Sequence, residues 1–199
     1  METFGTRAPG EPAIRPLAPE DEAGVARLLA ACEDYFTAAT GSAALPADVQ
    51  SLYYSLPEGA DFDQKHLLVL WHEDTPVGLV DAVRGHPDPA TCSVGLFLLH
   101  PRARGAGLGT RAARHLLREA EARGTRRVTA TCPPDWAPGI AFLRRLGFEV
   151  RLPGPQQSAT VGNRLRRPAE TRLCTAVLRL GADADGDPAP GHRAGDEAS

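Results

Sequence analysis

Lysine is almost missing from this chain of 199 residues: Lys65 stands alone among 22 basic residues, and the rest are arginine. Lys65 lies far upstream of the glycine-rich turn at residues 104–109, so a G-x-x-x-x-G-K-[ST] phosphate loop is excluded. Cysteine is sparse as well. Cys32, Cys92, Cys132 and Cys174 are widely separated and form neither C-x-x-C nor a Cys/His ligand cluster, which argues against a zinc site and a disulfide framework. No apolar run approaches the about 20 residues needed to cross a bilayer. The opening METFGTRAPGEPA lacks the apolar core of a signal peptide, so a cytoplasmic location without membrane contact is expected. A formal net charge of −3 does not favour a nucleic-acid binder.

What is present fits one domain, with 42% hydrophobic residues and a length that allows a substantial core. Residues 1–12 are rich in Gly and Pro without periodicity, and 182–199 are acidic, small and proline-containing; both are expected to be disordered. Between them, 13–181 reads as a single unit. Ala13 to Pro16 suits a short strand, and Val25, Leu28, Leu29 and Cys32 keep helical spacing in a helix that carries on through Glu33-Asp34-Tyr35-Phe36 to Gly41. A second helix is expected from Pro46 to Leu56. His66 to Trp71 and Val77 to Val83 make an antiparallel hairpin across Glu73-Asp74-Thr75-Pro76. Val94 to Leu99 is an almost wholly apolar strand. A helix from about Leu108 or Thr110 to Arg123 leads to an alternating strand from Arg127 to Cys132, so this unit predicts a parallel βαβ crossover. A short helix from Pro138 to Leu146, a strand at Gly147 to Arg151, a long loop from Pro153 to Thr171 and a last strand at Arg172 to Leu180 complete the chain.

The turn between the apolar strand and its helix carries the chemistry. Arg104, Gly107 and Gly109 form R-x-x-G-x-G, and the helix N-terminus behind it leaves backbone amides without intrahelical partners, which suits a phosphate. Arg102 and Arg104 add charge beside it. A dinucleotide fingerprint needs G-x-G-x-x-G in the first βαβ unit and an acid about twenty residues on; here the glycines are Gly105, Gly107 and Gly109, mid-chain, and Glu121 falls inside the helix. A third reading is a coenzyme A pyrophosphate site. R-x-x-G-x-G at Arg104 to Gly109, followed by GIAFLRRLGFE with Phe142, Gly147 and Phe148, resembles the paired signatures of the GNAT superfamily of N-acetyltransferases.

That resemblance implies an α/β (α+β) fold with a central mixed, mostly antiparallel sheet of six to seven strands, splayed between the fourth and fifth and flanked by about four helices. It implies acetyl-coenzyme A as co-substrate, a primary amine as acceptor, and no metal. Phe97, Leu98 and Leu99 would offer backbone groups to pantetheine. Gly105, Ala106, Gly107, Leu108, Gly109 and Thr110, with Arg104, would hold the pyrophosphate, and the backbone N–H near Leu99 would be the oxyanion donor. Where many relatives carry a tyrosine acid this chain has Leu143, and Thr91, Cys92 and Ser93 stand where many have a glutamate base. Asp81, an acid within an apolar strand, is the base candidate; the alternative is a carboxylate exposed by sheet twist or paired with Arg84. Asp34, Tyr35, Tyr53, Asp63 and Lys65, with Tyr54 and His66, are the acceptor-pocket candidates. Oligomeric state is open, a homodimer included. The competing readings are a noncatalytic acyl-CoA-binding module and a nucleotide-binding domain.

Overall fold

A computed structural model describes residues 12–153 and 173–181. The expected terminal segments and the 153–171 loop therefore lie, almost entirely, outside the described residues. Seven strands form one sheet in the order β1-β2-β3-β4-β5-β7-β6: β1 (Ala13–Pro16), β2 (Lys65–His72), β3 (Thr75–Arg84), β4 (Thr91–Leu99), β5 (Arg127–Cys132), β6 (Glu149–Arg151) and β7 (Cys174–Arg179). Only β4 and β5 pair in parallel; every other neighbouring pair is antiparallel. Five helices flank it: α1 (Glu22–Ala31), α2 (Glu33–Thr40), α3 (Pro46–Tyr54), α4 (Leu108–Ala122) and α5 (Ala137–Arg145).

The strand period of two sorts the β2–β4 side chains onto two faces. Val69, Leu79, Leu96 and Leu98 pack under α1, α2 and α3 against Val25, Leu28, Phe36 and Leu52. Leu68, Leu70, Val80 and Ala82 face the other way, with Ala112 and Leu116 of α4. The helix expected to run unbroken from Val25 to Gly41 is in fact two. The chain turns at Cys32 (φ −95°, ψ 36°), whose amide bonds back only to Leu29. This bend leaves Cys32, Phe36 and Tyr35 buried while Asp34 looks outward.

One irregularity shapes the site. Asp81 pairs with Leu96, but Ala82 pairs with Val94, so Gly95 is an extra residue on β4. Such a bulge bends its strand and ends pairing locally. Here the β4–β5 ladder runs from Thr91↔Arg127 to Val94↔Ala130 and stops, so residues 95–99 have no β5 partner. The expected splay between the fourth and fifth strands starts at that bulge.

Candidate active site in the split of the sheet

Beyond the bulge, the direction of each backbone group follows from one hydrogen bond. The amide of His100 donates to the carbonyl of Val77 at 2.9 Å. Because antiparallel partners alternate, Leu98 and Leu96 also turn their amides to β3, while Phe97 and Leu99 turn theirs to the side β5 has vacated. Leu98 was expected to face a ligand with its neighbours; only its position along the cleft, and not its backbone, fits that. The carbonyl of Leu99 on the open side accepts from Arg104 Nε at 2.9 Å and from Cys32 Sγ at 3.3 Å.

The glycine-rich turn closes one end of a cleft of about 480 Å³, lined by Phe97, Leu99, Gly105, Gly107, Thr110 and, across from them, Phe142 and Arg145. Gly105 (φ +84°) and Gly107 (φ +78°) hold left-handed backbone that L side chains rarely adopt. The first intrahelical bond of α4 runs from the Arg111 amide to the Gly107 carbonyl. The amides of Gly107, Leu108, Gly109 and Thr110 therefore have no helical acceptor, and among the described residues neither they nor those of Gly105 and Ala106 donate to any other group. Six adjacent unpaired N–H groups at the positive end of a long helix dipole fit a diphosphate.

Arg104 lines the cleft too, but its guanidinium is engaged by Asp34, to which it donates at 2.5 Å and 3.3 Å, and lies over the Trp136 ring at 5.4 Å. Burial works against both charges, but the hydrogen bonds between them win: Asp34 is held below the usual carboxylate range and Arg104 is pushed up. The cation that lines the cleft without a described partner is Arg145 on α5, one turn beyond Phe142. Its place on the far side of the cleft depends on how α5 packs across it, which spacing in the sequence does not reveal.

Asp81 is not exposed, and it does not pair with Arg84. It is 2% exposed, on the α1–α3 face with Leu79, and its carboxylate accepts from Lys65 Nζ at 2.7 Å. Lys65 also donates to the carbonyl of Ser55 at 2.7 Å. Burial raises the Asp81 carboxyl, and Lys65 pulls it back. Neither residue lines either of the two described cavities. The base candidate and one of the acceptor-pocket candidates thus bond to each other, because the lone lysine sits diagonally across the hairpin from the lone acid of the strand. Asp63 is exposed in the turn before β2 and Tyr54 is 73% exposed, both away from the cleft. Tyr53 sits beside Glu22, where burial and then that charge raise its hydroxyl. Tyr35 does reach the split: its ring meets Trp136 edge-on at 6.0 Å.

Three residues carry more of the site than the sequence suggested. Phe142, a signature match, stacks on Phe97 at 5.3 Å and closes the cleft opposite Leu99. Trp136, just upstream of the second signature, touches Tyr35 and Arg104 and lines the split. Gly139 stands where the second signature has alanine; a Cβ there would come within 2.3 Å of the Trp136 ring and 2.8 Å of Cys132 Sγ. Glycine and tryptophan at these two positions go together. Cys92 has its thiol pushed up to about 11 by burial, which argues against a nucleophilic thiolate. Among the described residues no group of His, Cys, Asp and Glu could hold a metal, and no helix is long and apolar enough to cross a membrane.

Solved structures of acetyltransferases share this fold at low identity. An acetyltransferase from Thermus thermophilus matches with TM-score 0.65 and 22% identity over 85% of this chain and 97% of its own. Aminoglycoside acetyltransferase AAC(6')-Ib in complex with coenzyme A matches with TM-score 0.62 and 17% identity over 85% and 95%. The ribosomal-protein-S18-alanine N-acetyltransferase from Escherichia coli matches with TM-score 0.56 and 14% identity over 89% and 99%. Comparison with curated proteins by sequence returns no match. The model of the acetyltransferase (GNAT) family matches residues 28–148, which span both signatures and the split between them, and the chain belongs to that family.

Proposed function

We propose that this protein transfers an acetyl group from acetyl-coenzyme A directly to a primary amine of a small molecule or peptide. The observation that carries the reading is the run of unpaired amides from Gly105 to Thr110 opening onto the cleft. Had those amides been bonded internally, or turned from any cavity, the reading would fail. Pantetheine would lie along the open edge of β4, pairing with the backbone of Phe97 and Leu99. The Leu99 N–H is then the donor nearest the thioester carbonyl, preorganised against the negative charge that builds on its oxygen. A donor fixed in a strand needs no reorganisation as that charge develops.

The acceptor would approach from the α1–α2 side, past Tyr35, Trp136 and Asp34. Asp34 keeps 47% of its side chain exposed, and Arg104 holds it ionised. A carboxylate held below its ordinary range is a weak base, so Asp34 suits a cationic amine as an anchor and not as the group that takes its proton. Asp81 is closed off by Lys65, and Leu143 leaves the thiolate to depart without a tyrosine acid. These two features favour the second reading, a noncatalytic acyl-CoA-binding module. Calorimetry with acetyl-coenzyme A tests what both share, and micromolar binding is expected. Absence of binding at high micromolar ligand removes both. Thiol release above background with any amine of a broad acceptor panel then separates enzyme from module.

A further inference from the structure

A second cavity of about 190 Å³ lies between α4 and the sheet and opens into the cleft. Phe97, Trp136, Gly139 and Phe142 line both spaces, so the mouth of the second is the place where the thioester would sit. Its walls are mostly apolar, with Val94 and Ala130 at the end of the β4–β5 ladder, Ala113, Leu116 and Leu117 on α4, and Leu143 on α5, while Arg84, Glu119 and Arg123 line it as well. Val94, Leu116, Leu117 and Leu143 are only partly buried even though they face inward, because the cavity lies against them. Leu143 occupies the position where the resemblance placed a tyrosine, so no hydroxyl enters this wall from there.

From this geometry we infer that the protein accepts acyl-coenzyme A with a chain longer than acetyl, of about six carbons, laid into the cavity beneath α4. This rests on the coenzyme A reading above and extends it to the acyl group. The size follows from comparison: an apolar cavity of roughly 150 Å³ stays dry and takes up benzene, and this one is somewhat larger. Mostly apolar walls give an acetyl group little to contact beyond the mouth, whereas each further methylene removed from water tightens binding about fourfold, from about 0.8 kcal/mol each.

The test is calorimetry of the full chain with coenzyme A, acetyl-, butyryl-, hexanoyl- and dodecanoyl-coenzyme A, in the wild type and in Ala113→Leu, which fills the cavity from α4. Hexanoyl-coenzyme A should bind at least tenfold more tightly than acetyl-coenzyme A, with no further gain for dodecanoyl, and Ala113→Leu should erase that ratio. Binding of coenzyme A with a ratio near one in the wild type overturns the acyl-chain inference and leaves the coenzyme A site standing. No binding of any of them overturns both. If Ala113→Leu does not fold, the wild-type series decides by itself.

Discussion

Strand β4 has a closed half and an open half. From Thr91 to Val94 it is paired on both edges and its polar side chains are fully engaged. Thr91 donates to Asp88 at 2.9 Å and accepts from Arg127, while Ser93 bonds the His86 carbonyl at 2.9 Å and Thr129 at 3.0 Å. From Gly95 to Leu99 one edge has no described strand beside it; Phe142 and Trp136 face it, and Arg104 and Cys32 hold the Leu99 carbonyl at its far end. The same strand therefore anchors the fold with its first half and presents the Phe97 backbone and the Leu99 amide with its second. The hinge between them is the Gly95 bulge, and Asp81, held by Lys65, sits across from it on β3.

Breaking that brace should have the largest effect. In Lys65→Met the Asp81 carboxylate is left buried and uncompensated, and such losses run to about 3–5 kcal/mol. Urea denaturation should show a loss of that order, and a double variant that also replaces Asp81 by leucine should recover most of it. A loss below about 1 kcal/mol would mean that the pair does not brace the bulge.

Gly139→Ala and Ser93→Ala set the two halves against each other. Alanine is worth about 1 kcal/mol more than glycine within a helix, but at Gly139 its Cβ collides with Trp136, and overpacking of this kind costs about 1–3 kcal/mol. A net loss of stability, a shift in tryptophan emission and weaker coenzyme A binding are expected together. Ser93→Ala removes a satisfied hydroxyl in the closed half. It should cost about 0.5–1.5 kcal/mol and leave coenzyme A affinity as it was. If Ser93→Ala weakened the ligand as much as Gly139→Ala did, the division of β4 into two roles would be lost.

The closed half was the easier to read. Alternation over Arg127 to Cys132 reflects burial, which acts residue by residue, and the structure places β5 at the expected residues beside the closed half of β4; the apolar run from Val94 to Leu99 was legible on the same ground although most of it lies in the open half. The glycine-rich turn was legible for a similar reason, since positive φ at Gly105 and Gly107 is a local demand. What could not be read depends on which elements meet across the sheet. Lys65 and Asp81 are sixteen positions apart and Asp34 and Arg104 seventy, and each carries its own charge in a way that suits solvent as well as a partner. The break at Cys32 was hidden because Val25 to Phe36 keeps apolar spacing on both sides of it.

The weakest expected effect concerns the link that ties α2 to the open end. Asp34 has a folded-state value below its ordinary one, so its ionised form is favoured by folding. Such a group contributes stability that is fully present above the unfolded value of about 3.9 and is lost as pH falls through the lower folded value. The pair is part-exposed, which limits its worth to about 0.2–1 kcal/mol. Denaturation of wild type and Asp34→Asn at pH 7, 5 and 3 should show a constant small difference at the first two and a shrinking one at the third. A difference that grew on acidification would mean that Arg104 is not what holds Asp34 ionised, and that the open end of β4 has no tether to α2 through this pair.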